Sequence, residues 1–218
     1  MTNKEYKQRA LGALKGNWTA AVVATLILAV VMIPYISLAE IPSFMKVSQA
    51  MMASLSGLGG LYLIFVGFPL ILGYVGATRL LVTAGDGRLP GNMWRIATAN
   101  WLHYVWGYFL IELRVFLWTL LLVIPGIIKS FAYAMAPLIM TEHPEMSASD
   151  AISLSNEMMK GHKFDLFYLY LSFIGWIILA TISCGIGFIW LTPYMYAAEV
   201  AFYEDVKAQY EGVIPVGD

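Results

Sequence analysis

The sequence predicts an all-α, polytopic membrane helix bundle. Six transmembrane helices form three repeated hairpins, accompanied by interfacial amphipathic helices. Three observations predict this class. The chain is 60% apolar and 12% charged, where a soluble domain carries about 45–50% and 25%. Several apolar runs are long enough to cross hydrocarbon. A short stretch also occurs three times at an even spacing.

The third copy of that stretch runs from Gly187 through Pro193 and Tyr194 to Ala197. The second runs from Gly126 through Ala132 and Tyr133 to Ala136, and the first from Gly67 through Gly73 and Tyr74 to Ala77. Each reads Gly, five residues, a small residue or Pro, Tyr, two residues, Ala. The copies begin 59 and 61 residues apart. On a helix, Gly and Tyr fall on nearly one line, and the small residue and Ala form a second line beside it. In hydrocarbon such a stripe admits a neighbouring helix closely, and the phenol supplies a hydrogen bond. A further Gly-to-Tyr pair at the same separation, Gly161 and Tyr168, is out of phase with the three copies.

No polar segment is long enough to build its own core, so residues 1–218 read as one integral membrane domain. Its repeats cover about 3–84, 85–141 and 142–205. In the first repeat, Tyr6, Ala10, Leu11 and Leu14 share a helical face ringed by Lys4, Lys7, Arg9 and Lys15. That pattern suits an interfacial helix on an anionic membrane surface. Trp18 marks the headgroup boundary. The first span follows over Trp18–Leu38, with Pro34 expected to kink or end its outer part. Ser37-Leu38-Ala39 looks faintly like a signal-peptidase site, but the run before it is too long for a signal peptide. Residues 39–57, with Glu40, Pro42, Met45, Lys46, Met51 and Met52, read as a loop resting on the membrane. The second span covers Leu58–Ala84.

In the second repeat, Gly85-Asp86-Gly87 and Pro90-Gly91 are turn signals. Met93, Trp94, Ile96 and Ala97 then form a second interfacial helix. The third span covers Tyr104–Val123. Pro125-Gly126 breaks it and opens the fourth, Ile127–Thr141, which is short for a full crossing and leaves a re-entrant segment as an alternative. In the third repeat, Ser147 and Asp150 form a capping box ahead of a helix with Ala148, Ala151, Ile152, Met158 and Met159 on one face. The fifth span covers Phe164–Ser183. Cys184-Gly185 turns the chain into the sixth, Ile186–Phe202, and the acidic tail beyond is expected to fray.

Ten basic residues fall on one side: Lys4, Lys7, Arg9, Lys15, Arg79, Arg88, Arg95, Lys160, Lys163 and Lys207. Lys46 and Lys129 fall on the other. The positive-inside rule then puts both termini in the cytoplasm and the chain in the cytoplasmic membrane.

The motifs exclude more chemistry than they offer. No phosphate loop, zinc-protease motif or nucleophile elbow is present. His103, His143 and His162 are isolated, and the single Cys184 can form neither an intrachain disulfide nor a cysteine-rich metal site. No catalytic residue, metal or cofactor is expected, and nothing points to nucleic acid. The intramembrane charges are more telling. Glu112 and Arg114 lie mid-span, where a lone charge costs at least about 2.5–3.5 kcal/mol. Two apart, they do not face each other. Arg114 is therefore expected to face the bundle interior, with Glu199 or Glu142 as its counter-charge. Arg79 and Glu199 each lie twelve residues after their motif glycine. Equal depth predicts that they pair.

From residue 144 onward, Ser147, Asp150-Ala151, Ser155, Met158 to Gly161, Phe167, Leu171 to Trp176, Gly185, Gly187, Pro193-Tyr194 and Phe202-Tyr203 carry a resemblance. With Leu14 to Trp18, they make the chain similar to a bacterial integral membrane family catalogued as domain of unknown function 975. A more distant likeness is to the membrane domain attached to some glycerophosphodiester phosphodiesterases, whose catalytic domain is absent here. The resemblance implies the fold and carries no activity. The expected function is non-enzymatic: binding or organising lipid, another membrane protein or a second copy of the chain. The alternative is a small-solute or ion transporter using Glu112 and Arg114.

Overall fold

The structure is a computed structural model that describes residues 1–44 and 48–213, with side chains at 1–38 and 48–211. Among these residues the fold is all-helical. The side chains of Glu40, Pro42, Met45 and Lys46 and the tail from residue 214 lie outside the described residues.

Helix α1 (Asn3–Leu14) starts at a capping box, in which the Thr2 hydroxyl accepts from the Glu5 amide and the Glu5 carboxylate accepts from the Thr2 amide at 2.6 Å. Its buried face is Tyr6, Ala10 and Leu14, the expected amphipathic face less Leu11. That face docks on protein rather than on lipid. Tyr6 meets Phe202 edge-on at 5.4 Å and its hydroxyl donates to Asp205 at 2.6 Å. Burial alone would raise the Asp205 pKa. The hydrogen bonds from the Met1 ammonium and from Tyr6 outweigh it and hold the carboxyl below its ordinary value.

Helix α2 (Trp18–Phe44) runs through Pro34 without ending there. Helix α3 (Gln49–Tyr62) passes by a π-helical turn, Leu63–Gly67, into α4 (Phe68–Ala84). The expected loop over 39–57 is thus largely helical. Ser48 caps α3 by accepting from the Met51 amide at 3.3 Å, and a chain in hydrocarbon must satisfy its own backbone groups, which overrides the weak propensity of Gly57, Gly59 and Gly60. At the far end of α4, Gly85 takes the left-handed conformation (φ 69°) that the turn signals anticipated.

Helix α5 (Leu89–Ala99) lies along α4. A Cβ on Gly73 would fall 2.9 Å from the Ala97 Cβ, so a larger residue would push α5 away. Helix α6 (Trp101–Leu121) ends at an extended Leu122. Helix α7 (Val123–Tyr133) then begins at once, with Pro125 in its first turn, where its missing N–H is harmless. The chain break therefore falls three residues before the expected Pro125-Gly126. Helix α8 (Ala136–Glu142) follows a second break at Ala134-Met135. Helix α9 (Ala148–Met158) is capped by Ser147, whose hydroxyl accepts from the Asp150 amide at 3.2 Å. It packs on α6, α7 and α8.

Helices α10 (Lys163–Leu171) and α11 (Ile174–Ile182) divide the expected fifth span at Ser172-Phe173. Cys184 (φ 54°) and Gly185 (φ 87°) make the turn. Helix α12 (Phe188–Val213) then runs well past the expected end at Phe202. Its extension is held by α1 and by the charge cluster described below. Helix α4 is the hub, packed by α5, α6, α8 and α12.

Five helical stretches among the described residues are long and apolar enough to cross a membrane: Trp18–Leu38, Gln49–Ala84, Trp101–Leu121, Val123–Glu142 and Lys163–Ile182. At most 44% of any such stretch is buried in the protein. Apolar surface turned outward on this scale is penalised in water and not in hydrocarbon. The sixth expected span is not among the five: α12 begins at Phe188, and every stretch of it long enough to cross takes in Glu199, Glu204 and Asp205.

Candidate functional site

Two helices turn the same pattern inward. On α6 the positions are Tyr108, Ile111, Glu112 and Val115. On α12 they are Thr192, Met195, Tyr196 and Glu199. Both sets follow the three-and-four spacing of one helical face. Between them lies a cavity of about 600 Å³, lined also by Ile71 and Val75 of α4, by Ser130, Tyr133, Ala134 and Pro137 around the α7–α8 break, and by Tyr170 of α10; it opens outward on the side where Glu112 and Ser130 are exposed.

Its polar groups are two carboxylates, four tyrosines, one serine and one threonine, and no basic side chain lines it among the described residues. Tyr170 and Glu199 face it from different helices. A second layer holds the rings in place. Tyr196 packs edge-on against Tyr74 at 5.2 Å, and the Tyr74 hydroxyl is hydrogen-bonded to Thr25 at 2.9 Å. Phe68 packs on Tyr108 at 4.5 Å, and Phe131 lies 6.2 Å from the Tyr170 ring. A carboxylate amid apolar walls with no partnering base is costly. A bound cation would relieve that cost, and the electron-rich faces of tyrosine rings favour the same kind of guest.

Of the four charges singled out in the sequence, Glu112 and Glu199 meet at this cavity and the two arginines do not. Arg114 is half-buried, and its Nη2 donates to the Ser149 hydroxyl at 2.8 Å. The carboxylate expected from Glu199 or Glu142 is absent from its described surroundings. Arg114 is two residues past Glu112, on a different face of α6, and α9 supplies its partner.

Arg79 does not pair with Glu199. Its Nη2 meets Glu142 at 2.6 Å and its Nε meets Glu204 at 2.9 Å. Glu142 also accepts from the Tyr203 hydroxyl at 2.6 Å and from Lys207. Two bases and two acids therefore tie α4, α8 and α12 together. Equal distance along the chain from a motif glycine does not bring two side chains together, because Arg79 and Glu199 leave their helices toward different neighbours. Glu199 and Glu204, five residues apart, point to different neighbours.

The stripe residues divide as follows. Gly67, Gly73, Tyr74, Ala77, Gly126, Ala132, Tyr133, Ala136, Pro193 and Ala197 are buried, while Gly187 and Tyr194 are half-buried. Tyr133 lines the cavity. A Cβ on Gly126 would lie 2.7 Å from the Thr119 Cα, and one on Gly187 would lie 2.7 Å from the Ala180 Cα. Each glycine seats its helix against the residue seven places earlier, across the hairpin. Cys184 is exposed, and no cluster of metal-ligating side chains occurs among the described residues.

Sequence reasoning missed Tyr108, Tyr170, Tyr196 and the role of Glu142. The first and third carry a signal in retrospect, since Tyr108 precedes Glu112 by four and Tyr196 precedes Glu199 by three. Tyr170 and Glu142 carry none.

A family model described as "Protein of unknown function (DUF975)" matches residues 61–210, most of the chain. The chain belongs to this family. No curated protein and no solved structure matches it. Every residue lining the cavity falls within the DUF975 match, whereas α1 and α2 lie before it.

Proposed function

We propose that this DUF975 protein is a non-enzymatic carrier in the cytoplasmic membrane of a bacterium, and that its cavity binds a small organic cation. The observation that carries the reading is the pair Glu112 and Glu199 facing a tyrosine-lined cavity of about 600 Å³ with no basic side chain among the described lining residues. A guest of drug size suits such a volume. The largely apolar walls favour an organic cation over a bare metal ion, which would need more oxygen ligands.

The helices around the cavity support transport rather than storage. One is broken at Ala134-Met135 and another holds Pro193 in its interior. Interrupted helices around a polar site are the usual architecture of carriers. Lipid or partner organisation, favoured on sequence alone, becomes the second reading. Its support is the outward apolar surface, and the distant likeness to a phosphodiesterase membrane domain adds no catalytic residue to it. Arg114, half of the sequence-based transport pair, is replaced in this reading by Glu199.

The same proposal has six spans in three hairpins, with both termini in the cytoplasm. The seats of Gly126 on Thr119 and Gly187 on Ala180 support equivalent second and third hairpins. The ten-to-two distribution of basic residues supports the orientation.

The test uses purified protein in proteoliposomes with tetramethylammonium, putrescine and ethidium as probes. At least one probe is expected to raise the melting temperature and to enter the vesicles. Glu112→Gln and Glu199→Gln are each expected to abolish uptake while the protein remains folded. No melting shift with any probe, or uptake unchanged in both variants, would sink the reading.

A further inference from the structure

A second concavity, of about 470 Å³, opens on the outer surface between α1, the start of α2, α11 and α12. It differs from the cavity in its tryptophans and its lack of charge. Leu11, Trp18, Trp176, Trp190, Leu191 and Tyr194 line it, and none of its residues is charged. Leu11 is the one member of the expected α1 apolar face that is left exposed, at 44%. It turns into this groove while Tyr6, Ala10 and Leu14 dock on the protein.

Two lysines fall on the same side of α1 as Leu11, at four-residue spacing. Lys7 precedes Leu11 by one helical turn. Its ammonium donates to the Ser172 carbonyl at 2.8 Å and lies 4.2 Å from the centre of the Phe173 ring. Phe173 packs edge-on against Tyr194, itself a groove residue, at 5.1 Å. Burial pulls the Lys7 pKa down from its usual value, and no carboxylate compensates it. Lys15 caps α1 one turn after Leu11, is exposed, and pairs with no described acid. Lys7 and Lys15 therefore flank, one turn before and one turn after along α1, the residue that enters an apolar, three-tryptophan groove on the outer surface. Tryptophan marks headgroup depth, and lysines beside it attract anionic headgroups.

We infer that this groove is a binding site for one anionic phospholipid. An acyl chain lies along Trp176, Trp190 and Leu191, and the headgroup meets Lys7 and Lys15. The complementarity is of two kinds in one place: apolar length inside and positive charge at the mouth. A zwitterionic lipid fills the groove equally well but gains little from the lysines. The inference does not depend on what the inner cavity binds.

The experiment is native mass spectrometry of the full chain after equilibration with equal amounts of phosphatidylglycerol and phosphatidylcholine. The wild-type protein is expected to retain phosphatidylglycerol preferentially. Lys15→Gln is expected to weaken that preference about fivefold, from roughly 1 kcal/mol per surface lysine. Lys7→Gln/Lys15→Gln is expected to remove most of it. Leu11→Glu, which places negative charge in the groove, is expected to expel the lipid. Equal retention of the two lipids by the wild type overturns the inference. So does a preference that survives Lys15→Gln and Leu11→Glu unchanged. Lys15 has no described partner, so its variant tests the site even if Lys7→Gln disturbs the α1 contact with Ser172.

Discussion

Arg79 has the best-defined electrostatic role of any single side chain. It reaches two carboxylates on two different helices, Glu142 at 2.6 Å and Glu204 at 2.9 Å, and is itself only 19% exposed. Removing it leaves Glu142 with Lys207 as its remaining base and takes from Glu204 its one described ion-pair partner. Arg79→Met is therefore expected to lower stability by about 1–3 kcal/mol, the cost of stranding a hydrogen-bonded charge near the edge of the protein. Arg79→Lys is expected to recover only part of this, because a point ammonium cannot reproduce a fork that reaches two acceptors. Melting in detergent measures both, and a wild-type melting temperature in Arg79→Met would show that the cluster contributes nothing. Glu112 and Glu199 are the opposite case. Each was visible in the sequence as a charge needing company, yet the company differs from what spacing indicated. A helix index states which residues share a face, but not which neighbour that face meets.

At the scale of elements, the hairpins close on glycine. Gly187 sits against Ala180, with 2.7 Å between its would-be Cβ and the Ala180 Cα, while Gly175 in α11 has nothing within 4 Å. Gly187→Ala is expected to destabilise by about 1–3 kcal/mol, since backbone must move to admit the methyl group. Gly175→Ala is expected to be neutral or slightly stabilising, as a helical glycine in open surroundings gains from substitution. Equal melting temperatures for the two variants in detergent would remove the glycine seat as a cause of hairpin packing. The local signals that read correctly are those whose physics is local. The Ser147 cap, the left-handed Gly85 and the Cys184-Gly185 turn each depend on a few adjacent residues. The breaks at Leu122, Ala134-Met135 and Ser172-Phe173 were misplaced or missed. Pro125 and Pro137 follow the first two within three residues, each in the first turn of the next helix, and proline disfavours helix just before it; at Ser172-Phe173 neither Pro nor Gly occupies the break. The helix over 49–57 was missed for the converse reason, because turn-forming glycines lose to the need for internal hydrogen bonds.

For the whole molecule, orientation is the consequence that topology makes testable. On the proposed arrangement of six spans with ten basic residues on one side, a reporter fused after Asp218 is expected in the cytoplasm, and one inserted near Ser48 is expected on the far side. Opposite labelling at either position would reject the arrangement.

Composition and periodicity were enough for the class of the protein: an all-helical chain with apolar stretches long enough to cross a membrane, its amphipathic helices, the Ser147 cap and the acids Glu112 and Glu199. These follow from composition and from periodicities of a few residues, which every helix obeys whatever surrounds it. Only the tertiary structure decided that α1 buries its apolar face on α12, that Arg79 joins Glu142 and Glu204, and that Glu112 and Glu199 share one tyrosine-lined cavity. Those pairings span up to 199 residues of chain in the case of Tyr6 and Asp205. They are fixed by how tilted and broken helices pack, a property of the assembled bundle and not of any stretch within it.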